Sequence, residues 1–133
     1  MSVIAGPHCV ADCVAHDCTG PPASLRHTVL MVNRRPRLRL IAPSDHVWLL
    51  ERTGTEIASA ELSVRIERLA VDGTSQLTLV IAGTYGAAPA LLERAQFRWS
   101  LSRLTLLHEW ARALVLEQLY RAAKIAANEP YHH

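Results

Sequence analysis

Two stretches do most to limit what this chain can fold into: "HVWLL" at residues 46–50 and "LTLVIAG" at residues 77–83. In both, apolar residues follow one another without the polar alternation of a half-wet strand. Such runs are strands buried on both faces, the pattern of a parallel sheet covered by helices. Between them lies "SAELSVRIERLAVDG", with Leu62, Ile66 and Leu69 at helical spacing, Ser59 available as a cap and Gly73 as a stop. "TVLMV", "LRLIA" and "RLTLL" read as further strands, "AAPALLERAQF" as a short helix, and Glu109 to about Ala127 as a long final helix. Strand and helix alternate, so the expected class is α/β, a parallel sheet with helices on both faces. Residues 1–28 are rich in Cys, His, Gly and Pro and keep no sustained period.

A length of 133 residues predicts a single domain over 1–133. Apolar residues at 50% and charged residues at 20% mark a globular chain. No apolar run reaches the ~18 residues of a membrane span. "MSVIAGPHCV" has neither a basic n-region nor an apolar h-region, so no secretory leader and no membrane partner are expected. Three cysteines, an odd number without an oxidising context, predict reduced thiols in the cytoplasm. A net charge of +2 excludes a strongly basic nucleic-acid coat but not an RNA enzyme with a local basic patch. The dense patch is "NRRPRLRL", with Arg34, Arg35, Arg37 and Arg39. On a strand, Arg35, Arg37 and Arg39 share one face. That face is either a solvated edge, which Pro36 suits, or a phosphate-contacting strip.

In an α/β fold, ligands sit beyond the carboxyl ends of the strands. The corresponding loops are "ERTG" after "VWLL", "GTYG" after "LTLVIA", and the stretch around Leu107 and His108. "IAGTYG" is no phosphate loop, because no Gly-Lys-Ser/Thr follows, and it does not complete G-x-G-x-x-G. On the final helix, Glu117, Arg121, Lys124 and Asn128 form one wet stripe while most of the girth is apolar, from Leu114 to Ala126. Such a helix needs more than one neighbour and predicts an oligomer interface. Arg112 projects roughly opposite the wet stripe, on the face of His108 four residues earlier. An inward arginine must be paired or reach a ligand, and the pattern leaves both open. Cys9, Cys13 and Cys18, with His8 and His16, hold one pair of zinc-like spacing but no second, so no metal is expected. A helix or loop with incidental thiols is the reading of that segment.

Taken in order, "LERTG", "LVIAGTYG", "WSLSRLTLLHEWAR", "LEQLYRA" and "EPYHH" resemble the small SPOUT methyltransferases of the ribosomal large subunit methyltransferase H family. The similarity runs from Asp45 to His133 and is densest from Trp99 onward. It implies a C-terminal trefoil knot in the α/β sheet, a homodimer, and S-adenosylmethionine held in the knot. By position, Leu50 and Gly54 match the first cofactor loop, Gly83 and Gly86 the second, and Leu101, Ser102, Leu104 and Leu106 the third. His108, Arg112, Tyr131 and His132 match the residues around the target base. The resemblance further implies that the Tyr-His tail closes on the cofactor pocket.

The chain departs from that family in four places. The second loop, usually Gly-Gly-Pro-Glu-Gly, is Ala82, Gly83, Thr84, Tyr85 and Gly86. Leu107 replaces a proline, and His133 stands where a basic residue is usual. The part before Asp45, residues 1–44, is divergent and shorter. The expected function is S-adenosylmethionine-dependent N-methylation of a uracil-like heterocycle, with pseudouridine in ribosomal RNA implied by resemblance. A free nucleoside or other small heterocycle as substrate, and a non-catalytic dimeric binding module, are the alternatives.

Overall fold

A computed structural model describes residues 2–5, 9–12, 25–31, 38–83 and 85–129. Its elements run β1 (Ser2–Ala5), β2 (Cys9–Asp12), β3 (Arg26–Met31), a 3-10 turn (Leu38–Leu40), β4 (His46–Glu56), α1 (Ser59–Val71), β5 (Gln76–Ile81), α2 (Pro89–Arg94), β6 (Phe97–Ser100) and α3 (His108–Ala126). The six strands form one sheet in the order β2-β1-β3-β5-β4-β6. All neighbours are parallel except β1 and β2.

The two apolar runs become the middle of this sheet. β5 lies between β3 and β4, pairing Leu79 with Val29 on one side and with Trp48 on the other. Because side chains alternate along a strand, β3, β4 and β5 each feed two cores. Val29, Trp48, Leu50, Leu77, Leu79 and Ile81 meet Leu62 of α1 and Ala111, Val115, Leu119 and Ala122 of α3. On the other face Leu30, Val47, Leu49 and Val80 meet Leu91 of α2. Helices therefore cover both faces, as expected. Trp48 stands edge-on to Phe97 and Trp99, with ring centroids 5.2 and 6.3 Å away.

Buried polar groups are tied off where the elements meet. Ser63 of α1 donates to Ala122 O of α3 at 2.9 Å. Thr78, buried on β5, donates to Asp45 Oδ2 at 2.9 Å, and Arg94 of α2 donates to Asp45 O at 2.6 Å. Both long helices close in the same way. Thr74 N–H donates to Leu69 O and Gly73 N–H to Ala70 O, with Gly73 at φ 80°. Glu129 N–H donates to Lys124 O and Asn128 N–H to Ile125 O, with Asn128 at φ 54°. These are Schellman closures, which need a left-handed residue after the helix.

Several local expectations are corrected. Leu38–Leu40 of "LRLIA" is a 3-10 turn, so Arg39 does not lie on a strand. "RLTLL" has no regular structure before its helix, and the strand is the four residues before Leu101. Three or four apolar residues in a row do not distinguish a strand from a loop that drops side chains into a core. "ERTG" is not a loop: β4 continues through it to Glu56. The opening segment carries β1 and β2, and Cys9 begins β2 rather than lying on a helix or loop. Ser59 is not the cap of α1: the N-cap is Ala58, and the Ser59 hydroxyl donates to Gln118 Oε1 at 2.6 Å. Asn128 leaves the wet stripe to form the turn after α3. His8, Cys13, His16, Cys18, Arg34, Arg35, Arg37, Thr84 and His133 lie outside the described residues.

Candidate functional site

Three chain segments converge at the carboxyl end of the sheet. β5 and β6 end near the point where β4 leaves its first stretch of pairing, Leu50 registering with Ile81 and with Trp99. Beyond Leu50 the pairing of β4 with β6 slips and resumes at Thr55, which leaves Glu51–Gly54 out of the regular ladder. β5 ends at Ile81, and Gly86 N–H donates to Gly83 O at 2.9 Å to close a turn. Gly86 has φ 84°, a conformation that glycine adopts without strain. After β6, residues 101–107 pass irregularly into α3.

These segments enclose a cleft of about 280 Å³. Its apolar lining includes Leu50, Ile81, Leu101, Leu106 and Ala111. Its polar lining includes Glu51, Arg52, Thr53, Ser102, Thr105 and His108. Backbone bonds hold the walls in register: Ala82 N–H donates to Leu50 O at 3.1 Å. The buried Ser100 hydroxyl lies 3.2 Å from Arg52 O and 3.1 Å from Ser102 O, and donates to one of them at a time. Leu104 N–H in turn donates to Ser102 Oγ at 3.1 Å, which curls the loop beside the cleft. His108 is the first residue of α3, and its N-cap, Leu107, makes no side-chain cap bond. The first-turn amides and the positive end of the helix dipole therefore stand at the cleft wall.

Leu50, Gly83, Gly86, Leu101, Ser102, Leu104, Leu106 and His108 all line this cleft. Gly54 does not. A β-carbon there would lie 2.7 Å from Arg98 O and 2.9 Å from Trp99 C, so its missing side chain admits the β6 backbone. Arg112 is half-buried one turn beyond His108 and outside the lining. Tyr131 and His132 lie outside the described residues. Sequence reasoning did not single out Glu51, Arg52 or Ala111. The available signal for Glu51 and Arg52 was charge placed directly after a buried apolar strand.

Two histidines with displaced titration lie away from the cleft. Burial lowers His27, at the start of β3, to about 4, and its Nε2 has no hydrogen-bond partner among the described residues. Burial, and then the charge of Arg94, lowers His46. Among the described residues no three His, Cys, Asp or Glu side chains are grouped to hold a metal, and no helix is long and apolar enough to cross a membrane.

A family model described as "Predicted SPOUT methyltransferase" matches residues 22–132. Proteins named "Ribosomal RNA large subunit methyltransferase H" are similar over most of the chain. The one from Desulfitobacterium hafniense (strain DSM 10664 / DCB-2) is 43% identical over 95 residues, covering 71% of this chain and 59% of the relative. The one from Gloeobacter violaceus is 45% identical over 91 residues, covering 68% and 58%. The one from Rubrobacter xylanophilus is 48% identical over 97 residues, covering 71% and 61%. The chain thus spans about three-fifths of the length of these relatives.

Proposed function

From the premise that this chain belongs to the SPOUT methyltransferase family, we propose that it is an S-adenosylmethionine-dependent N-methyltransferase of a uracil-like heterocycle, pseudouridine in ribosomal RNA being the substrate. The observation that carries this reading is the cleft formed beyond the carboxyl ends of β5 and β6 and by the slipped stretch of β4 after Leu50, where three separate segments expose apolar side chains beside backbone and polar groups. Its size is near the lower end of small-molecule pockets, ~300 Å³. An apolar floor with a few convergent polar groups fits an adenosyl group. The names of the similar proteins support ribosomal RNA as substrate.

S-adenosylmethionine, when bound, supplies an electrophilic methyl group carried on a sulfonium. The protein has to place the ring nitrogen in line with that methyl, remove the imide proton and stabilise the charge that develops. Leu50, Gly83, Gly86 and the Leu101–Leu106 segment hold the cofactor, and Gly54 supports this wall from behind through its contact with β6. His108 or His132 takes the imide proton. Arg112 and the amino end of α3 stabilise negative charge on the ring oxygens, and Tyr131 packs on the base.

This reading also makes residues 1–133 one domain, threads the C-terminal part as a trefoil knot and pairs two chains through α3 in the cytoplasm. Leu104, Leu107 and Trp110 are 72%, 68% and 66% exposed, and Leu114 follows on the same helix. Apolar side chains exposed together in this way mark an interaction surface, and a C2 dimer satisfies it.

The test is calorimetric titration with S-adenosylmethionine, followed by methyl transfer to ribosomes, extracted ribosomal RNA and free pseudouridine. Cofactor binding with transfer to a ribosomal substrate is the expected result. Transfer to the free nucleoside alone rejects RNA as substrate. Binding without transfer to any of the three rejects catalysis.

A further inference from the structure

Glu51 is an acidic side chain in the cleft to which the proposed reaction gives no role. It follows Leu50 where β4 leaves its pairing with β6, and it lines the cleft. Its side chain is only 13% exposed. A carboxylate so far out of water requires compensation. Arg98 of β6 provides it: Nε and Nη2 both approach Glu51 Oε1, and Nη2 also donates to Thr53 Oγ1 at 3.0 Å. An arginine set against a carboxylate for stability alone favours the two-oxygen fork. Here one oxygen takes both contacts. Among the described residues Oε2 has no hydrogen-bond partner, and the side chain keeps part of its exposure on the cleft wall.

We propose that Glu51 Oε2 accepts a hydrogen bond from the 2′,3′-diol of the adenosyl ribose, with Arg98 as the positioning residue that fixes the carboxylate. This rests on the adenosylmethionine reading and names the residue that reads the sugar. Net charge decides between the two ends of the cofactor. Arg98 brings the pair to neutrality, so it draws an ammonium or sulfonium far less than a lone carboxylate does. A hydroxyl needs no net charge and gains a charge-assisted bond from the open oxygen. Two of the other side-chain acceptors of the lining are already engaged: Ser102 Oγ accepts from Leu104 N–H, and Thr53 Oγ1 accepts from Arg98.

Calorimetry with three probes tests this: S-adenosylmethionine, 5′-methylthioadenosine, which keeps the diol and lacks the amino-acid part, and the 2′,3′-dideoxy form of the latter. Glu51→Gln keeps the side-chain shape, and its fold is checked by circular dichroism. It is expected to weaken the first two probes by the same factor, roughly tenfold. The wild type is expected to prefer the diol over the dideoxy probe by a similar factor, and Glu51→Gln to lose that preference. Arg98→Gln is expected to lose it as well, and Arg98→Lys to retain part of it. Weakened S-adenosylmethionine with unchanged 5′-methylthioadenosine overturns the proposal, because it moves Glu51 to the amino-acid end. Equal wild-type affinity for the diol and dideoxy probes also overturns it. A wild type that binds no probe at all rejects the cofactor reading, and this assignment falls with it. That failure is separate from one confined to the variant.

Discussion

Gly54 shows how a residue can sit beside a cleft for a reason unconnected with ligand. A β-carbon at 54 meets backbone atoms of Arg98 and Trp99 at 2.7–2.9 Å, and backbone cannot rotate aside. Gly54→Ala is therefore expected to cost about 1–3 kcal/mol in urea denaturation, the usual range for forced overpacking. Its effect on ligand affinity should come only through displacement of the β4–β6 pair. At the other end of the sheet, His27 is held neutral by burial, with a folded pKa of about 4 against the ordinary 6.5. Because the folded value is the lower one, its stability contribution is complete above pH 6.5 and drains away as pH falls toward 4. The loss by pH 4 is on the order of 3 kcal/mol, and His46 acts in the same direction. His27→Leu should flatten this acid limb, read as the midpoint of thermal unfolding at pH 7 and at pH 5. Neither effect was visible in the residue string, since one depends on the approach of another strand and the other on depth.

At the scale of the element, α3 carries two surfaces that periodicity only half separates. Ala111, Val115, Leu119 and Ala122 are buried against the sheet and α1, on the apolar side of the expected pattern. The expected wet stripe is also real: Arg121 pairs with Glu117 at 2.6 Å, and Lys124 pairs with Glu129 at 2.5 Å. Trp110 falls on that polar side of the helix near its start, and Leu114 is close by. Hydropathy counts such residues as core, whereas the sheet behind α3 leaves them outside. Trp110→Glu is expected to convert the proposed dimer to a monomer at micromolar concentration, measured by sedimentation velocity. The fold should survive, because Trp110 contributes nothing to either buried cluster. A dimer unchanged by this charge would move the interface away from α3.

For the molecule as a whole, the ribosomal substrate predicts steep dependence on salt, since each neutralised phosphate releases counterions. Arg52 lines the cleft, and Arg103 is exposed in the loop beside it. Changing both to Gln should cripple methylation of RNA and lower the slope of log affinity against log salt by about 1.5–2 units. Activity on a free nucleoside should barely respond, so the double variant also separates the two substrate classes. Whereas "ERTG" is strand and "RLTLL" is loop, the reverse of the expectation, the parallel α/β class, the helices on both faces and the turn after β5 could be placed in advance from "HVWLL", "LTLVIAG" and the periods around them. These are local properties: an apolar strand must be covered, and a helix must bury its stripe, whatever else surrounds them. The sequence alone did not separate the strand at Phe97–Ser100 from the apolar loop after it, nor show β4 running past Leu50 and slipping against β6. It also gave no means of pairing Glu51 with Arg98, 47 residues away. Those features depend on which strands lie side by side and in what register. Register is settled by the packing of the whole sheet, because the same short run of residues can satisfy its own preferences in several pairings.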